Sequence, residues 1–470
     1  MVARPAIRYR FRVTAPARRA AHGVLRTVHT GRSDLATALD RSRRRLADPR
    51  DRALVGEIAI GVQRRRAALD HLLEQAASRP LPAISPVALD LLRAGAYQLL
   101  HLDRVPAHAV VADAVELARV SGARRAAGFV NAVLRTLADH RRPFTLPPAP
   151  RADATGAGDG PARRAALDYL AITLSHPRWL VERWLDRHGL QAAEAWAQFN
   201  NRPAPVTLRA NTARNTAAEL RDALDACGVR SVETRLAPHG LVATEGDALA
   251  SPAAAAGRFV VQEEASQLVV ELAGPAPGER VLDLCAAPGG KTVGLAGCAG
   301  PAGFVVASDL RPRRVALLAD LLARAGSPRV AIVRLDATAP LPLRPVFDCV
   351  LVDAPCSGLG ALRRDPDVRW RRTPGDLAAF AATQVEMLGR AAEAVRPGGR
   401  LIYATCSSEP EENEQVVARF LDRHPEFVPV VPHAVPALDR VLDGNGHLRT
   451  LPFRHGIEAF FAAALARRPA

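Results

Sequence analysis

Val281-Leu282-Asp283-Leu284-Cys285-Ala286-Ala287-Pro288-Gly289-Gly290-Lys291-Thr292 is the stretch on which the fold turns. A short apolar run breaks into Pro-Gly-Gly, and a helical pattern follows. Such a run is a buried strand, and the turn after it is one where side chains would obstruct a ligand. The helix behind the turn offers unpaired N–H groups to an anion. The fingerprint GxGxxG is absent, so a dinucleotide is not favoured.

Working outward, Phe304–Ser308, Val330–Arg334, Val346–Val352 and Arg400–Ala404 are further short apolar runs, with Leu- and Ala-rich helical patterns between them. Strands alternating with helices predict a mostly parallel, doubly wound sheet. Phe460-Phe461 fits a final strand beside the last parallel one. In such sheets ligands bind outside the carboxyl ends of the strands. Three loops converge there: Cys285–Lys291, Asp353-Ala354-Pro355-Cys356-Ser357-Gly358, and Tyr403-Ala404-Thr405-Cys406-Ser407. Asp309 closes the second strand, where an acid suits ribose hydroxyls, and Asp336 follows the third, placed for an adenine amino group. Both also read as helix caps, which Asp often supplies.

Two of the loops offer thiols. The six cysteines, at 227, 285, 298, 349, 356 and 406, form no CxxC pair, so neither a metal site nor a disulfide framework is indicated. Few reactions need two thiols and no metal. One is methylation of a pyrimidine at C5, where one sulfur adds to C6 and the other helps release product. Cys227, Cys298 and Cys349 read as small buried hydrophobes, and Cys285 needs no redox role.

The chain has 470 residues, 48% hydrophobic and 24% charged, which suits a soluble protein of several domains. No apolar run reaches membrane-spanning length and no signal peptide precedes it, so a cytoplasmic protein with reduced thiols is expected. Net charge is +15, and residues 1–66 hold 17 Arg against 5 acidic residues. That excess is a footprint for phosphate backbone, or else a solvated arm. Lys291 is the single lysine of the chain. It implies a place that takes a compact point charge where the wide arginine fork does not fit.

The organisation reads as a basic arm over residues 1–17, an all-helical domain over 18–140, a Pro- and Gly-rich linker over 141–165, an α/β part over 166–256 and the doubly wound domain over 257–470. In the helical part, Ala20, Val24, Leu25 and Val28 share one face and Leu54, Val55, Ile58 and Val62 another. A bundle used for protein contacts has the same pattern. Arg363-Arg364 and Arg369-Trp370-Arg371-Arg372 read equally as an RNA-gripping stretch or a solvated basic loop.

DAPCSG and ATCS behind the PGGK loop resemble the signature of RNA cytosine-5 methyltransferases of the Nop/Sun family, in its bacterial 16S rRNA branch. The stretch Gly128–Arg135 resembles the last helix of a NusB-type RNA-binding domain. The resemblance implies a NusB-like domain, a small RNA-recognition-like subdomain, and a Rossmann-like class I methyltransferase domain. It implies S-adenosylmethionine held by Cys285, Ala286, Ala287, Pro288, Gly289, Gly290 and Lys291 with Asp309, Asp336 and Asp353. It implies Cys406 as nucleophile, Cys356 as the second thiol, and Asp353 on the cytosine N3 or N4 edge. Ser408-Glu409-Pro410-Glu411 reads as a capping box, which would set Cys406 at a helix N-terminus. Gln262–Ser266 matches a family segment loosely, and Glu458-Ala459 replaces the usual Asp-Gly after Arg454-His455-Gly456. The expected partner is RNA, with 16S rRNA favoured over tRNA, and the expected state is a monomer without metal or membrane. A catalytically idle RNA-binding or antitermination factor and a DNA cytosine methyltransferase are the alternatives.

Overall fold

The computed structural model describes residues 14–139, 144–150, 160–327, 329–431 and 436–469. Most of the expected basic arm, residues 1–13, and much of the expected linker, 141–143 and 151–159, lie outside them. The chain forms two compact units: Met1–Arg202 with Asp365–Arg371, and Pro203–Arg364 with Arg372–Ala470.

The first unit is helical. Pro16–His29, Leu35–Arg43, Pro49–Arg64, Arg66–Ala77, Pro86–His101, Ala107–Val120 and Ala127–Ala138 surround one apolar core. Val55, Ile58, Ala59 and Val62 recur at helical spacing and are all buried. Each such large side chain contributes about 1.5–3 kcal/mol on leaving water. Asp48 starts its helix by accepting from Arg50 N at 2.8 Å. Gly61 lies against Tyr97, whose ring would stand 1.9 Å from any Cβ placed there. Further on, Pro161–Asp168 and Arg178–Asn201 pack the stacked indoles of Trp184 and Trp196, with centroids 4.6 Å apart. No described helix is long and apolar enough to cross a membrane.

The second unit holds two sheets. Val206–Ala210 (β1), Arg230–Glu233 (β2), Gly240–Glu245 (β3) and Phe259–Val261 (β4) pair antiparallel in the order β2-β3-β1-β4. Alternate residues of β1 face opposite ways. Leu208 packs with Leu220 and Leu224 of the helix Ala217–Asp225. On the other face Arg209 is 1% exposed, pairs with Glu271 at 2.9 Å and donates to Gln267 O. The sheet is thus covered on both faces along β1, which leaves no open aromatic platform there for bases.

The large sheet contains Arg280–Asp283 (β5), Phe304–Asp309 (β6), Val330–Arg334 (β7), Phe347–Asp353 (β8), Val395–Thr405 (β9), Phe427–Pro429 (β10), Leu448–Arg449 (β11) and Phe461–Arg467 (β12). Its order is β10-β12-β9-β8-β5-β6-β7, with β11 beside β12. From β7 to β9 the neighbours are parallel, and β12 runs antiparallel to β9 with Phe461 opposite Thr405. Leu282, Val350, Leu401 and Tyr403 face the helices Pro374–Ala394 and Glu414–Arg423. Val281, Cys349, Leu351 and Ile402 face the helix Glu264–Ala273. Two buried faces explain why these strands read as continuous apolar runs. After β7 the chain returns to pair β8 with β5 on its other side. This reversal opens a crevice where β5, β6, β8 and β9 end.

Candidate active site

The β5 strand ends on Asp283, which is fully buried. Its Oδ2 accepts from Thr292 Oγ1 at 2.7 Å, while Oδ1 has no hydrogen-bond partner among the described residues. Burial pushes this carboxyl up to about 7; Thr292 opposes and the Asp353 charge adds. The loop that follows is pinned by Leu284 N to Leu351 O, 3.0 Å, and Ala286 N to Ser308 O, 2.8 Å. Gly289 has φ +112°, and a Cβ there would meet Leu318 and Leu321 at 2.9 Å, so only glycine closes this turn. The helix Gly290–Ala299 starts without a side-chain cap, leaving its first N–H groups for a ligand.

Lys291 points back from that helix. Its Nζ lies 2.7 Å from Asp353 Oδ2 and 5.5 Å from the centroid of Phe460. Burial pulls the ammonium down, but Asp353, Cys406 and Asp283 outweigh it, and the net shift is upward. A compact ammonium held between an acid and a ring is the point charge that the lone lysine implied.

The thiols meet beside this pair. Asp353 is opposite Ala404 in the β8–β9 ladder, so the two following loops leave the sheet side by side. Cys356 Sγ and Cys406 Sγ stand 3.2 Å apart. The Cys356 thiol is held well above its ordinary value, first by its hydrogen bond to Cys406, then by burial and by the charges of Cys406 and Glu412. Either sulfur could donate in this contact. Gly360 N donates to Cys406 O at 2.9 Å, and a Cβ on Gly360 would strike Ala459 O.

This constellation has relatives. Residues 270–466 match the model of the 16S rRNA methyltransferase RsmB/F family, 15–139 the NusB family, and 176–248 the ferredoxin-like domain of RsmF/B-like methyltransferases. A probable ribosomal RNA small subunit methyltransferase B of Bacillus subtilis is 33% identical, over 89% of this chain and 91% of its own. The chain belongs to the RsmB/F methyltransferase family. A putative methyltransferase of Mycobacterium tuberculosis is 40% identical over 96% of both chains. Among solved structures, PH0851 superposes with a TM-score of 0.78 at 26% identity, covering 97% of this chain and 99% of that one.

Within this RsmB/F-family chain, the residues expected at the site divide by environment. Cys285 is kept up, first by burial and then by the charges of Asp353, Asp283 and Asp309, as befits a thiol without a redox role. Asp309 is 7% exposed and accepts from Arg314 Nε at 2.9 Å. Arg314 also donates to Ala287 O, so one guanidinium joins the acid to the loop. Asp336 lies on the surface beyond β7 and accepts from Thr338 N and Oγ1 at 2.9 and 2.7 Å, bonds that lower its carboxyl. Cys349 is buried in the sheet and pushed up to about 12 by desolvation.

Several local readings need correction. Ser408–Glu411 does not cap a helix: Pro410–Glu412 is a single 3₁₀ turn and the helix begins at Glu414. The Cys406 thiol thus does not sit at a helix N-terminus. Much of the arginine stretch after Cys356 is tied into the protein, while Arg371 is 38% exposed. Arg369 is 0% exposed and donates to Ser175 O and Asn201 Oδ1, both at 3.0 Å, and Trp370 Nε1 donates to Gln63 O at 2.7 Å. Arg363 is spent on Pro203 O and Arg364 on Glu458. Glu263 caps the helix Glu264–Ala273, and Gln262 beside it stands next to Gly290 of the loop.

Two residues of the site escaped the sequence reading. Arg314 carries no motif of its own in the sequence. Glu412 looked like one of several acids beside Cys406; nothing in the run Glu411-Glu412 says which carboxylate turns inward.

Proposed function

We propose that this RsmB/F-family enzyme transfers a methyl group from S-adenosylmethionine to C5 of a cytosine in small-subunit ribosomal RNA, in the cytoplasm and as a monomer. The observation that carries the reading is the pair of sulfurs 3.2 Å apart beside the Lys291–Asp353 ion pair. The proposed organisation is that of the sequence: helical RNA-anchoring residues 18–140, a subdomain over 166–256, and catalysis in 257–470.

The residues present fit the cofactor. Asp283 leaves Oδ1 unpaired in a buried crevice, an acceptor suited to an ammonium. The uncapped helix N-terminus at Gly290–Lys291 suits a carboxylate, and the turn Ala286–Gly289 lets backbone approach. Asp309 would take the ribose hydroxyls and Asp336 the adenine edge. Bound there, S-adenosylmethionine supplies an electrophilic methyl group.

The chain's own residues do the rest. Asp353 holds the N3/N4 edge of cytosine, with Lys291 fixing its orientation. Cys406 forms a bond to C6, which places a pair of electrons on C5 and makes that carbon nucleophilic. After methylation the Cys356 sulfur, as thiolate, takes the C5 proton; the C–H electrons restore the C5–C6 double bond while the C6–S bond breaks and its electrons return to Cys406. Incubation of the protein with labelled S-adenosylmethionine and 16S rRNA, followed by nucleoside analysis, tests this. Label in 5-methylcytidine is expected. Label on another nucleoside, or only in tRNA, overturns it.

A further inference from the structure

We propose that Glu412 is the positioning residue of the two-thiol pair: its carboxylate ties the Cys356 loop to the Cys406 loop and thereby sets the sulfurs at working distance. This rests on the two-thiol reading above.

Glu412 is fully buried. Its Oε1 accepts from Ser357 N at 2.7 Å and Gln384 Nε2 at 3.2 Å; its Oε2 accepts from Ser357 Oγ and Ser407 Oγ, both at 2.5 Å. Ser357 is the residue after Cys356, and Ser407 the residue after Cys406. One side chain therefore grips both nucleophile-bearing loops one residue beyond the sulfur. The two hydroxyl oxygens stand 3.2 Å apart, the same separation as the two sulfurs, so serines and cysteines form successive rungs between the loops.

The carboxylate is itself fixed. Tyr403 OH, on β9, donates to Glu412 O at 2.5 Å. Next to it Asn413 accepts from Thr405 Oγ1 at 2.6 Å and donates to Ser407 O at 3.1 Å. The turn Pro410–Glu412 is thus sewn onto the strand that ends in Cys406.

The chemistry asks for an acid here. Both serine hydroxyls donate to one oxygen, and the backbone and Gln384 donate to the other. An ionised carboxylate is acceptor-only and satisfies all of them; glutamine offers one acceptor oxygen and would turn an NH₂ toward existing donors. No ion pair to Glu412 occurs among the described residues. Four donors thus converge on this one side chain behind the thiols. The Glu412 charge is one of the causes, after the Cys406 hydrogen bond, burial and the Cys406 charge, that raise the Cys356 thiol. It gives the proposal a readout that a purely structural tie would not move.

The test uses the full-length chain as wild type, Glu412→Gln, Glu412→Asp and Ser407→Ala. Three quantities are read: kcat and KM for RNA, affinity for S-adenosylmethionine, and the pH midpoint of Cys356 alkylation by iodoacetamide, mapped by peptide mass spectrometry. Glu412→Gln is expected to lower kcat by about tenfold or more, with KM and cofactor affinity within about twofold. It should also move the Cys356 midpoint down by about one pH unit, since a like charge is removed. Glu412→Asp should restore part of kcat and return the midpoint toward wild type. A folded Glu412→Gln protein with unchanged kcat, or with an unchanged midpoint, overturns the proposal. If that variant does not fold, Ser407→Ala, which removes a single donor, must lower kcat severalfold without raising KM; unchanged kcat there is equally contrary. The alkylation midpoint is read without RNA, so it separates failure of Glu412 from failure of the cytosine chemistry, which would show as wild-type protein that methylates no cytosine.

Discussion

Lys291 is a half-buried cation at the strand ends of the second unit, and Arg369 a fully buried one inside the first. The protein treats them in opposite ways. Lys291 faces carboxylates, and their field holds its proton more tightly than water would. Arg369 is ringed by carbonyl oxygens and an amide, with Arg64 and Arg65 nearby; burial and those like charges pull it down to about 9. A cation paired with an acid at the mouth of a crevice is free to act on a ligand. A cation consumed by backbone carbonyls is a fastener. What distinguishes them is the partner supplied by distant parts of the chain.

The comparison breaks if the two respond alike to removal. Lys291→Met is predicted to cut methyl transfer by roughly 10²–10³-fold, the loss typical of one preorganised charge. Its stability should stay within about 1 kcal/mol of wild type, because Asp353 is 30% exposed and can be rehydrated. Arg369→Met should do the reverse. Denaturant unfolding should show a loss of about 3 kcal/mol, from buried acceptors left unpaired. Activity per folded molecule should be unchanged. Equal losses of activity in the two variants would erase the distinction.

Asp283 sharpens it from the acidic side. Its folded value, about 7, lies above the ordinary carboxyl value near 4. Between those limits the unfolded chain releases a proton that the folded chain keeps, so the folded state binds more protons. Stability from this group is therefore lost as pH rises from about 4 to about 7, and is flat above that. The loss should be roughly 4 kcal/mol across the window, about 1.4 kcal/mol for each pH unit. Asp283→Asn should remove that component of the slope; an unaltered stability–pH curve would show that the carboxyl is not perturbed.

A smaller effect is predicted at Asp309. Arg314 already occupies one of its oxygens, so ribose contacts share the acid. Asp309→Ala should weaken S-adenosylmethionine by about tenfold, or 1.4 kcal/mol, in calorimetry. Unchanged affinity would take Asp309 out of the cofactor site.

These contrasts also mark what was legible in the chain. β7 is bounded as the sequence placed it, and the other four parallel strands differ only at their ends. Apolar runs bounded by Gly and Pro carry that information locally. The PGGK loop was legible for the same reason: its glycine is demanded by backbone angle and by Leu318 and Leu321 together. β4 and β10, each three residues long, had too little pattern to stand out. The capping box near Cys406 failed because Glu412 and Asn413 find tertiary partners on β9 and the thiol loops, which outweigh local helix initiation. Arg369 and Trp370 misled because exposure is decided by packing residues far away in sequence. Pairs such as Arg314 with Ala287 and Glu412 with Ser357 are fold-made and leave no short-range signal.

The central claim is that Cys406 attacks and Cys356 releases. The most direct measurement is denaturing electrophoresis of full-length Cys406→Ala and Cys356→Ala proteins after incubation with 16S rRNA and S-adenosylmethionine. The account predicts a denaturation-resistant protein–RNA species in Cys356→Ala, with methylated RNA inside it, and neither adduct nor product in Cys406→Ala. A trapped complex that forms only in Cys406→Ala would contradict it and exchange the roles of the two sulfurs.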